Sequence, residues 1–217
     1  MLTRVWVGVW VVAVMMASSA TASACVNEMR HRLDRNVHLL SKSERLLDQG
    51  KHREALRLVM GSFPHAFGRS KSEPWAERAR MVAAVAVVRT RGRYAFRAGA
   101  GLVRSKRAQD RNIARAVSML GALRTRTPQS TVLQARYAEG LALNPRHAQR
   151  ARKLLEDLAQ RDLLTDAYAY AALARLRADQ GDEAQSQEAW ERCRAMATTP
   201  SEICVPLEGS VQHNTNG

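Results

Sequence analysis

A spacing of 35 residues constrains this chain more than any other feature of its sequence. Ala116, Ala151 and Ser186 are small residues at that interval, and Leu120, Leu155 and Trp190 follow each of them four residues later. Positions four apart are neighbours on one helix face. A small residue beside a large apolar one marks a place where a second helix can approach closely. A fixed period of this size is the mark of a repeat architecture, in which each unit buries its apolar face only against the next. Turns fall near Arg111, Arg146 and Gly181; Pro128 ends one unit, Asn144-Pro145 breaks a hairpin and Pro200 ends the last.

Two helical hairpins are readable in detail. In the first, helix-spaced apolar residues run through Met29, Leu33, Val37, Leu40 and Leu47, Gly50 stops the helix, and a second begins near Glu54 and closes at Phe63-Pro64. In the last, Tyr168 to Asp179 forms a helix with Tyr170, Leu173, Ala174 and Leu176 inward. Gly181-Asp182 turns the chain, and Glu183 to Met196 is the partner helix with Trp190 and Cys193 on its packing face. Asp182 is placed to cap that helix. Ala, Arg and Leu dominate the composition; such side chains lose little rotamer freedom in a helix, so the expectation is all-α.

The last hairpin resembles the tetratricopeptide repeat family. Tyr170, Leu173-Ala174, Gly181-Asp182, Ser186 and Trp190 follow the family's order of aromatic, Leu-small, Gly-Asp, small and aromatic residues. The copy around Leu39, Leu46, Gly50, Ala55 and Val59 is the next best; copies through 75–92, 100–123 and 135–158 are degenerate. The resemblance implies stacked antiparallel helix pairs, an α-solenoid whose concave face binds peptides or partner proteins. The lining residues expected on the exposed side of the first helices are Arg136, Glu139, Arg175 and Arg177.

The N-terminus reads as a secretory signal over residues 1–24: Arg4, an uncharged apolar run from Val5 to Met16, and a small-residue stretch ending Ala22-Ser23-Ala24. A spanning helix wants about 20 strongly apolar residues, which this stretch reaches only by counting Ser and Thr. The next residue is Cys25. Ala22-Ser23-Ala24-Cys25 resembles a bacterial lipobox, with Ala in place of the usual Leu, so both plain cleavage and lipidation at Cys25 stay open. Residues 25–200 form the expected helical repeat domain, and 201–217 a flexible tail. The protein is expected to be exported: periplasmic, or membrane-tethered if Cys25 carries a lipid.

Three cysteines in an exported chain leave one over. Cys193 and Cys204 are close enough in sequence for a disulfide tying the tail to the last helix, stabilising by roughly 3 kcal/mol on the loop-entropy model; the other reading of Cys193 is a small buried residue.

The formal charge is +14, carried mostly by arginine. Arg89, Arg91, Arg93, Arg97, Arg104, Lys106, Arg107, Arg111 and Arg115 crowd one segment opposed only by Asp110, making 89–115 a candidate anion-binding stretch. Export argues against nucleic acid as its partner, leaving an anionic membrane surface or envelope polymer, or a plain solvated surface. No G-x-S-x-G, H-E-x-x-H or phosphate-loop motif is present, the histidines have no metal-ligand spacing, and no cofactor or catalytic residue is expected. The leading expectation is a non-enzymatic cell-envelope module that binds an unidentified protein or peptide; an accessory factor to an envelope enzyme is the alternative.

Overall fold

The computed structural model describes residues 34–68, 74–97, 99–196 and 201–205. The expected signal segment over 1–24, Cys25 and residues 206–217 lie outside the described residues, as do His31 and His213. The chain divides into two units, 1–39 and 40–217. Of the first, only residues 34–39 are described, and they are helical. All the packing that can be described belongs to the second.

The regular structure among the described residues is helical, with no strand beyond one isolated backbone bridge between Tyr94 and Leu102. Among them eight α-helices follow one another: α1 (34–48), α2 (His52–Ser62), α3 (Pro74–Arg89), α4 (Lys106–Arg126), α5 (Thr131–Leu141), α6 (Ala148–Gln160), α7 (Ala167–Ala178) and α8 (Glu183–Ala195). From α2 onward each helix packs on its successor, and α3 also touches α5 as α5 touches α7. No helix among the described residues is long and apolar enough to cross a membrane.

The boundaries have local causes. Gly50 and Gly181 hold φ of 74° and 80° in the α1–α2 and α7–α8 turns, a backbone region that glycine enters without a Cβ clash. Pro74 opens α3, where its missing N–H costs no helical bond. The Ser130 hydroxyl accepts from Leu133 N at 3.3 Å to cap α5, and the Asp166 carboxylate accepts from Tyr168 N at 2.9 Å to cap α7. Asp182 stands at the start of α8 but makes no capping bond; its carboxylate turns to Arg152 on α6, 3.6 Å away.

Two kinds of helix alternate. In α4, α6 and α8 burial follows a single stripe: Ala116, Leu120 and Leu123; Ala151, Leu155 and Leu158; Ser186, Ala189, Trp190 and Cys193. The small and large residues of the 35-residue spacing all lie on these stripes. In α3, every residue from Val82 to Val88 is buried, in α5 every residue from Tyr137 to Leu141, and in α7 every residue from Ala169 to Ala174. Helices apolar on all sides sit inside a fold rather than on it. Gly140 lets the inner layer close: a Cβ there would stand 2.9 Å from Val117 Cγ2 and 3.3 Å from Val88 Cγ2.

Cys193 and Cys204 are joined as a disulfide with Cα atoms 5.6 Å apart. The fold therefore extends past the expected boundary at 200: Ser201–Cys204 forms a 3-10 turn packed on α7 and α8, and Cys204 is buried.

Candidate functional site: an arginine-lined cavity on the inner helices

Arg89 closes the long apolar run of α3, and its side chain is only 2% exposed. A charge taken that far from water needs partners within reach. Glu139 on α5 supplies a two-point contact, Arg89 Nε to Oε1 at 3.2 Å and Nη2 to Oε2 at 3.3 Å. Arg89 Nη2 also donates to Asp166, the α7 cap. Tyr168 lies beneath the guanidinium, its ring centre 3.8 Å from Cζ, and its hydroxyl meets His52 Nε2 on α2 at 2.9 Å. One cation therefore ties together α3, α5 and α7, and through Tyr168 reaches α2.

The electrostatics follow from this crowding. Burial alone would weaken the Arg89 charge, but Glu139 and Asp166 outweigh it and push its pKa above the ordinary value. Burial raises the Glu139 carboxyl against the pull of Arg89. Burial and the nearby Arg89 charge lower His52 to about 4, so it is neutral near pH 7. Burial raises the Tyr168 hydroxyl to about 12.

Beside this cluster opens a cavity of about 390 Å³. Its walls come mainly from the inner helices: Val88 and Arg89 of α3, Glu139 of α5, and Tyr168, Ala172, Arg175 and Leu176 of α7, with Trp190 and Ile203 closing one side. Arg175 projects beside the Trp190 ring, 5.6 Å from its centre, and its one hydrogen bond among the described residues is a long 3.4 Å contact to the Ile203 carbonyl. Its Nε is buried without a partner. Burial and the neighbouring Arg91 both lower its pKa. Arg91, exposed at the rim, makes no ion pair among the described residues. The cavity thus holds one arginine satisfied by two carboxylates and two that are not.

The four lining residues expected on exposed faces are placed differently. Glu139 is buried and paired with Arg89, because α5 is covered on all sides. Arg136 is half-buried, with Nη1 donating to Met81 Sδ at 2.9 Å and its Nε unpartnered; burial, then Arg89, lowers its pKa. Arg177 turns toward α8, donating to the Gln185 carbonyl at 2.9 Å, with Glu156 3.8 Å from its Nε. Of the four, only Glu139 and Arg175 line the cavity.

The basic segment also divides. Arg89 belongs to the buried cluster and Lys106 pairs with Asp110. Arg91, Arg93, Arg97, Arg104, Arg107, Arg111 and Arg115 are exposed. Among the described residues no group of three His, Cys, Asp or Glu side chains is placed to hold a metal ion.

Sequence reasoning overlooks the pairing of Arg89 with Glu139 and Asp166. One local signal was available: both Arg89 and Glu139 are charges embedded in otherwise apolar helices, and such charges need an internal partner. Their separations of 50 and 77 residues carry no periodic trace. No family model, curated protein or solved structure matches this chain.

Proposed function

We propose that the protein is a non-enzymatic interaction module of the cell envelope, built on degenerate tetratricopeptide-like helix pairs. Its inner-helix cavity grips a segment of a partner protein. The observation that carries this reading is the pair Arg175 and Arg91 at a cavity built from three successive inner helices. Arg175 is desolvated beside a second cation, with no carboxylate at ion-pair distance among the described residues. An anionic or carbonyl group from a partner would relieve both deficits, while Trp190, Ala172 and Leu176 offer apolar contact to the chain that carries it. The Cys193–Cys204 disulfide suits an oxidising compartment and so favours export.

The test is site-specific photo-crosslinking in the producing cells, from Asp179 at the exposed rim of the cavity, with Gln187 on the exposed face of α8 as control. A discrete adduct from position 179 that is absent from 187, and lost on Arg175→Gln at unchanged melting temperature, is the expected result. Equal adducts from both positions, or adducts indifferent to Arg175→Gln, would overturn the reading.

A further inference from the structure

The outer face of α4 and the loop before it carry a second feature, independent of the cavity. The buried stripe of α4 runs through Ala116, Leu120 and Leu123; Arg107 and Arg111 lie on the opposite face and Arg115 on its flank, over Phe96. Spaced four apart, they form one line along the helix, about 12 Å long. Arg104 stands two residues before the helix start, and all four side chains are exposed. None has a carboxylate at ion-pair distance among the described residues, since Lys106 occupies Asp110.

The loop folds back alongside and is held there. Tyr94 and Leu102 form a backbone bridge, Val103 N donates to the Arg93 carbonyl at 2.7 Å, and Asn112 of α4 donates to the Gly92 carbonyl at 3.0 Å. Phe96 packs under Arg115, 5.1 Å from ring centre to Cζ. Fixed in this way, Leu102 stays 57% exposed, an apolar side chain two residues from Arg104.

We propose that this surface docks the protein on an anionic lipid membrane, with the arginine line on the lipid phosphates and Leu102 entering the headgroup layer. Charge alone would suit any polyanion. The exposed Leu102, held by the bridge next to the cations, is the element that a membrane uses and a soluble polyanion does not. The docking needs no lipid on Cys25.

Sedimentation with vesicles tests it, using the chain as processed by the producing cells and carrying Cys25→Ser, so that neither an attached lipid nor the apolar run 5–16 contributes. Expected is binding to phosphatidylglycerol-containing vesicles, with little to pure phosphatidylcholine, that weakens with salt. Replacing Arg107, Arg111 and Arg115 by Gln should weaken it about 100-fold, at about fivefold per arginine. The charge-matched set Arg57→Gln, Arg192→Gln and Arg194→Gln should keep most of the affinity. Leu102→Gln should lower vesicle affinity severalfold while leaving retention on a heparin column unchanged. Binding that ignores lipid charge, or falls equally in both triple variants, would overturn the proposal. So would vesicle affinity indifferent to Leu102→Gln, which would make the surface a site for soluble polyanions.

Discussion

The inner helices α3, α5 and α7 and the outer helices α4, α6 and α8 solve the same packing problem with different sequences. An outer helix buries one stripe, so Leu155 is buried while Lys153 and Asp157 on the same helix face water. An inner helix buries every direction and must therefore be made of small residues, as the Val-Ala run of α3 and the alanines of α7 are. The difference decides where each charge can go. On outer helices arginine is solvated and cheap, and surface ion pairs there contribute little. On the inner helices Arg89 and Arg175 are desolvated; Arg89 has two carboxylate partners, and Arg175 has no carboxylate at ion-pair distance among the described residues.

Substitution scans can break this contrast. Leu155→Ala should cost about 3 kcal/mol by urea denaturation, against less than about 0.5 kcal/mol for Lys153→Ala. On α3, Val85→Ala, Val87→Ala and Val88→Ala should each cost about 2 kcal/mol although they point in different directions. A helical rhythm of tolerant positions within 82–88 would contradict the inner assignment.

Acid should probe the inner layer next. His52 has a folded pKa of about 4, below the unfolded value of 6.5, so the neutral form stabilises the fold. That contribution is complete above pH 6.5 and is lost as pH falls toward 4, reaching about 3 kcal/mol. His52→Gln should flatten the stability profile over this window relative to the parent, a difference in which the shared carboxylates cancel. Parallel profiles would mean that His52 is not buried against Arg89.

Glycines sharpen the contrast at the smallest scale. Gly140→Ala on α5 should destabilise by about 1–2 kcal/mol, because its Cβ would crowd Val117 and Val88. Gly61→Ala on α2 meets nothing within 4 Å and should stabilise by up to about 1 kcal/mol. Thermal melts of the two variants should therefore move in opposite directions.

The outer helices were readable from sequence because one-sided burial leaves a period. Ala116 with Leu120, Ala151 with Leu155, and Ser186 with Trp190 carry it, and the glycines at 50 and 181 mark two turns. The inner helices hide their orientation, since alanine and valine on all sides erase the alternation that tells inside from outside. That is why Glu139 reads as exposed and proves buried. The helix-capping role expected of Asp182 fails for a related reason: Arg152, distant in sequence, takes its carboxylate. Of the candidate site, Arg175 was readable as a residue but its cavity was not, because the walls come from segments far apart along the chain.

Two inner-helix arginines differ in this way: Arg89 is engaged in the fold, and the proposed function leaves Arg175 for a partner. Urea denaturation of Arg89→Met and Arg175→Met, measured side by side, tests this division most directly. Arg89→Met should lose about 3–5 kcal/mol, since it strands Glu139 and Asp166. Arg175→Met should match the parent or exceed it, since it removes a desolvated cation with no carboxylate partner among the described residues. A loss in Arg175→Met as large as that in Arg89→Met would contradict the division.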